Sequence, residues 1–245
     1  MPTGRPFTIN AQYEYLWYGR NQVISLDLSA GSNPELLEGY VKFKSPFRNY
    51  EEISFSTKTQ ATHSVDHFTK YNSLTSLHYG YNKVISLEGR VGYNYTVRSV
   101  MVHFKSPFQH FEDLMYSHDF GMEKNNVYST SVFKYGDKVV RLTGQHKDDG
   151  QKINSFVNFK SPYKSVEDLS FVNNYDRKDR VHNSKTSFKW APYKSIDIDM
   201  NHANGDKYCD TNLQVTSPFN GYEKLSMKTG YNGKRNEHNG YFTFN

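Results

Sequence analysis

The sequence predicts an all-β protein, an antiparallel meander of about 16–17 amphipathic strands built from four tandem repeats. Three observations predict it: a five-residue segment that recurs in phase, an alternation of apolar and polar residues with period two, and an abundance of aromatic residues, with 20 Tyr and 17 Phe. Only 36% of the residues are hydrophobic. This composition favours a sheet with one apolar face and one solvent-exposed face over a sheet that is buried on both sides.

The recurring segment is Phe-Lys-Ser-Pro-Phe or a close variant of it, found at Phe43–Phe47, Phe104–Phe108, Phe159–Tyr163 and Val215–Phe219. Its serines lie 61, 55 and 56 residues apart. A second landmark precedes each serine by 22 residues in all four copies, at Val23–Leu26, Val84–Leu87, Val139–Leu142 and Ser195–Ile198. This constant spacing predicts one β-repeat domain over residues 1–245, with units at 11–71, 72–126, 127–180 and 181–239 and a final strand at 240–245.

Each unit is predicted to contain four strands, which in the second unit lie near Ser73–Tyr79, Val84–Val91, Val97–Lys105 and Leu114–Asp119. Glycine marks the turn between the first two strands of the first three units, at Gly19, Gly80 and Gly136. Short connections imply antiparallel neighbours. The result is a large curved sheet or an open or closed barrel-like shell, because very wide sheets curl or split.

Alternation assigns the apolar residues of these strands to one face, represented by Ile24, Leu26, Val41, Phe43, Ile85, Leu87, Val102 and Phe104. The recurring turn adds one aromatic residue per unit, at Phe47, Phe108, Tyr163 and Phe219. A packed cap and an exposed anchor are the two alternatives for these rings, and packing of Phe108 with Phe111 against the sheet is the predicted one. The glutamate of each turn, at Glu51, Glu112, Glu167 and Glu223, is interpreted as turn-stabilising.

Composition and motifs exclude several functions. The formal charge of +5 comes from 30 Lys+Arg against 25 Asp+Glu that are interspersed along the chain, so no nucleic-acid partner is expected. Phosphate-binding glycine loops and catalytic motifs are absent. We therefore expect no enzyme activity, catalytic residue, metal or cofactor. Cys209 is the single cysteine, and the pair His63 and His67 is better explained by a solvated loop than by a metal site.

The segment Thr216–Leu225 resembles a recurring element of the large lipid transfer proteins, the family of vitellogenins, insect apolipophorins and apolipoprotein B. That element has the pattern Ser/Thr-Pro-Phe, two residues, aromatic, Glu, one residue, Leu or Ile, which Lys44–Ile53 and Lys105–Leu114 share. The third copy departs from it at Tyr163 and Val166. The resemblance implies a fragment of a repeated lipid-binding β-sheet region, extracellular in location although the chain shows no secretory signal. Its partners would be phospholipid, sterol or neutral lipid and the rest of a larger lipoprotein chain.

Two other classes of function remain open from the sequence. A structural or interaction repeat would close its apolar face on itself and bind a partner with its wet face. An outer-membrane β-barrel is compatible with the meander and with the segment Tyr241–Phe244, but strands such as Ser54–Gln60 and Val181–Lys189 are too polar for a lipid-facing band. A large uncovered apolar face distinguishes the lipid-binding hypothesis from the self-closed repeat, since soluble monomers expose only a few hundred Å² in one patch. Heat-modifiable migration on a gel and solubility only in detergent would indicate the barrel instead.

Overall fold

The structure is a computed structural model that describes residues 7–17, 20–48, 51–65, 67–80, 82–164, 166–191, 193–234 and 237–245, with the side chains of 15–22 and 234–238 outside the description. The described residues form strands and turns and contain no helix. The strands of the first half are β1 (Phe7–Trp17), β2 (Arg20–Ser32), β3 (Leu36–Lys44), β4 (Glu52–His63), β5 (Thr69–Tyr79), β6 (Lys83–Tyr93), β7 (Val97–Lys105) and β8 (Asp113–Glu123). Those of the second half are β9 (Asn126–Tyr135), β10 (Lys138–Asp148), β11 (Lys152–Lys160), β12 (Asp168–Lys178), β13 (Val181–Ala191), β14 (Lys194–Asn204), β15 (Tyr208–Thr216), β16 (Lys224–Lys234) and β17 (Glu237–Phe244).

All seventeen strands belong to one antiparallel sheet, which confirms the predicted meander. The pairing within β1–β7 and within β10–β17 joins each strand to the next along the chain. The four strands predicted for the second repeat unit correspond to β5–β8, each of them at least as long as expected.

The chain divides into two compact units. The first consists of Met1–Asp119 and Val132–Lys138, and the second of Phe120–Ser131 and Val139–Asn245. The strands β1–β7 therefore lie in the first unit, and β11–β17 with nearly all of β10 lie in the second. The apolar surface of each unit is described by itself below.

Several turns between strands contain a residue with a left-handed backbone conformation. Gly80 and Gly136 have φ angles of 56° and 58°, a left-handed conformation that glycine adopts without steric cost, as their position predicts. Gly19 lies outside the described residues. In the fourth repeat Tyr193 takes a left-handed φ of 61° in the equivalent turn.

The part of the chain that the structure describes has almost no hydrophobic core. Ala61, with 8% exposure, is the only buried hydrophobic side chain among the described residues. The accessible surface of the chain is 18183 Å², whereas a compact monomer of 28.6 kDa exposes about 11,000 Å². Apolar side chains on the strands therefore contact one another laterally and leave their outer surfaces open.

Candidate functional site

The apolar face of the first unit is defined by the register of β1–β7. One row of paired positions crosses six strands and is apolar throughout, running Ile9, Leu28, Val41, Phe55, Leu77 and Ile85. Neighbouring pairs Leu26–Phe43 and Leu87–Phe104 lie on the same face, since side chains two positions apart along a strand point the same way. Val102 pairs with Gly89 on that face, and Ile24 precedes Leu26 by two positions. The structure thus brings all eight predicted residues together on one face.

These side chains remain accessible. Val41, Leu87 and Val102 are 37%, 46% and 40% exposed, and the other five predicted residues are half-buried. Apolar side chains of comparable exposure flank them, including Ile9, Leu37 and Phe55. The face is therefore a continuous apolar surface rather than a set of scattered contacts.

The second unit has a corresponding apolar face that no individual residue prediction covered. Its central row runs Met200, Leu213, Met227 and Phe244, and a second row runs Val157, Phe171, Phe188 and Ile196. Strand alternation in the sequence carries the signal for this face, whereas the eight predicted residues all belong to the first two repeats.

Charge is segregated between the two faces of each unit. In β1–β7 and β10–β17 the described Lys, Arg, Asp and Glu side chains on the apolar faces lie within two residues of a strand end, at Lys83, Arg98, Lys138, Asp148, Arg177 and Lys194. The opposite faces carry charged side chains along the strands. Several form cross-strand ion pairs there, among them Lys42–Glu52, Lys152–Asp176, Lys185–Asp199 and Lys189–Asp168. One face is thus charged and the other apolar.

Polar side chains in the interior of the apolar faces are largely paired with one another across strands. In the first unit the hydroxyl oxygens of Thr57 and Thr75 are 3.1 Å apart, and Thr59 donates to Ser73 at 2.9 Å. Such pairs in the second unit include Thr186–Asn173, His146–Ser155, His202–Thr211 and Tyr175–His182. Such pairing lowers the cost of removing water from these faces, because an unsatisfied polar group is expensive to desolvate.

The four Ser-Pro turns share one hydrogen-bonded geometry that the sequence does not predict. Each serine donates its backbone N–H to the carbonyl of the turn glutamate, at 3.0–3.2 Å. All four serine hydroxyls accept the N–H two residues on, and those of Ser106, Ser161 and Ser217 also donate to the carbonyl oxygen five residues on. Recurrence of serine in every copy was the available signal for this role.

The turn glutamates contribute through their backbone carbonyls in all four copies. At Glu223 the carboxylate contributes as well, because hydrogen bonds from its own N–H and that of Gly221 lower the pKa of that carboxyl. The predicted stabilising role of the carboxylate therefore has structural support at this one glutamate.

The turn aromatics are open rather than packed. Phe108 and Phe111 are 51% and 55% exposed, so the expectation that they form a closed cap is corrected in favour of the exposed alternative. Phe47, Tyr163 and Phe219 have similar exposure. In the fourth repeat Phe219 stacks on Trp190, with ring centroids 6.1 Å apart, and Trp190 stacks on Phe188 of the apolar face. There, the turn aromatic extends the apolar face.

A cavity of about 400 Å³ lies at the opposite end of the strands of the first unit, lined by His63, Ser64, His67, Thr69, Tyr93, Asn94 and Tyr95. Although it contains the histidine pair singled out in the sequence, the described residues contain no group of three side chains placed to hold a metal ion. His63 instead pairs through Nδ1 with the Thr69 hydroxyl at 3.1 Å.

No family model, curated protein or solved structure matches the chain. The described part of the chain has no helix of the length and hydrophobicity needed to cross a membrane.

Proposed function

We propose that this protein binds lipid without covalent chemistry, through the apolar faces of its two units, as part of the lipid-carrying region of a larger secreted lipoprotein. The segregation of charge carries the proposal. Interior positions of the apolar faces have uncharged described side chains, whereas the opposite faces carry ion pairs. A surface with one apolar and one charged side is suited to lie between lipid and water.

The amount of open surface supports the proposal. Burying apolar surface is favourable by about 25 cal/mol per Å², so a face made of Val41, Phe55, Leu77, Ile85 and their neighbours is costly to leave in water. Lipid covers such a face without the exact shape complementarity that a protein partner requires. This face is easier to dehydrate because its polar side chains pair across strands, Thr57 with Thr75 and Thr59 with Ser73.

A structural repeat with its apolar face covered by protein is the alternative, and a lipid-binding measurement separates the two. We expect the lipid-free chain to bind droplets of triolein stabilised with monoolein, measured by flotation. Binding should change less than about twofold between 0.1 and 0.5 M NaCl, because the contact is apolar and salt screens only charges. A monomer that fails to float with the droplets would refute the proposal. A steep loss of droplet binding with increasing salt would refute the assignment of the apolar face as the lipid-binding surface.

Because the Thr57 and Thr75 hydroxyls pair with each other, substitutions at these two positions should have non-additive effects on droplet binding. Thr57→Val should weaken droplet binding by about fivefold or more, because the Thr75 hydroxyl would be left unpaired beneath lipid. The double variant Thr57→Val/Thr75→Val should restore binding to the wild-type value or above it, since no polar group then remains. Unchanged binding by Thr57→Val would show that these hydroxyls do not lie under the lipid, and additive losses in the double-mutant cycle would show that they are not coupled there.

A further inference from the structure

The cavity at the rim of the first unit continues the apolar face. His63, Thr69 and Tyr93 occupy paired positions at the ends of β4, β5 and β6, on the same face as the apolar row. The adjacent row on that face is Ala61, Tyr71, Val91 and Val100. A long ligand lying along the strands would therefore pass from apolar side chains directly into a polar cavity.

Two tyrosines mark the boundary between these regions. The rings of Tyr71 and Tyr93 stack with centroids 6.3 Å apart, and both side chains are partly exposed. A hydrogen bond between their hydroxyls raises the pKa of Tyr93. Paired phenols at the edge of an apolar surface resemble the aromatic residues that occupy membrane–water interfaces, where a ring contacts hydrocarbon and its hydroxyl contacts water or headgroups.

The cavity presents hydrogen-bond donors and one nearby fixed positive charge. Its lining includes two imidazoles, two tyrosine hydroxyls, the Asn94 amide and the Ser64 hydroxyl, and it includes no carboxylate among the described residues. Arg98 is the cross-strand partner of Tyr93, is exposed, and forms no ion pair with a described residue. Hydrogen bonds from such groups to phosphate oxygens are charge-assisted and strong.

We propose that this rim cavity is a headgroup subsite for a phosphate-bearing lipid whose acyl chains lie on the apolar face of the first unit. The inference depends on the proposed lipid binding and specifies the class of ligand. A volume of about 400 Å³ falls within the range of small-molecule sites, about 300–1,000 Å³. Arg98 and His63 contact the phosphate, and the tyrosine pair lies at the level of the glycerol backbone.

The test compares two lipid surfaces that differ in phosphate. The full chain and the variant Arg98→Gln/His63→Gln are measured against phosphatidylcholine vesicles and against triolein droplets stabilised with monoolein. We expect the variant to bind the vesicles at least about tenfold more weakly and the droplets equally well, because the droplets offer no phosphate. The matched control Arg90→Gln/His78→Gln changes the same residue types on the opposite face of β6 and β5 and should leave both affinities unchanged.

Each other outcome has a distinct meaning. Failure of the wild type to bind either surface overturns the proposed function itself. Equal losses on vesicles and droplets, or no loss on either, overturn the headgroup subsite while leaving lipid binding intact. Binding of chain-free glycerophosphocholine as tight as that of vesicles would identify a site for soluble phosphodiesters instead of a lipid, and would also overturn the inference.

Discussion

Substitution of two apolar-face residues by lysine should abolish lipid binding without unfolding the protein. Leu87 and Val102 lie on that face in β6 and β7, and they are 46% and 40% exposed, so lysine is accommodated in the lipid-free state. Under lipid, each buried lysine costs about 2–4 kcal/mol. The variant Leu87→Lys/Val102→Lys is therefore expected to bind droplets at least about a thousandfold more weakly, which flotation measures directly.

A matched variant on the opposite face controls for added charge and for lost apolar area. Val84 and Met101 lie in the same two strands and are apolar, but they belong to the charged face. Val84→Lys/Met101→Lys should bind droplets as the wild type does. Both variants should keep the wild-type circular dichroism spectrum. Equal losses in the two variants would show that lipid does not distinguish the faces.

Strands and faces could be predicted from the sequence because both follow from period-two alternation, a local property of the chain. Constant spacing between Val84 and Ser106, and between their counterparts, indicates a structural repeat. The eight representative residues lie on one face of the first unit. The corresponding face of the second unit followed from the same pattern.

The hydrogen bonds of the turns and the rim cavity could not be predicted in this way, because both depend on how the chain is arranged in three dimensions. The sequence shows a serine before proline, but not that the Ser106 hydroxyl lies 2.7 Å from the Phe111 carbonyl oxygen. The cavity requires His63 and Tyr93 to meet at strand ends thirty residues apart. The sequence favours a solvated loop for the histidine pair, because it does not show that Tyr93 and Tyr95 lie beside it.

The recurring turn should depend on its serine far more than on its phenylalanine. Ser106 is buried at 8% exposure, and its hydroxyl donates to the Phe111 carbonyl and accepts the Phe108 N–H. Ser106→Ala removes both bonds and should cost about 1–3 kcal/mol in the free energy of unfolding, measured in urea. Phe108→Ala should cost less than about 1 kcal/mol, because its ring is 51% exposed. Amide hydrogen exchange should show the serine effect confined to β7, β8 and their neighbours, since each repeat contacts mainly the next. A cost of about 3–5 kcal/mol for Phe108→Ala with a neutral Ser106→Ala would mean that packing, rather than hydrogen bonding, holds the turn.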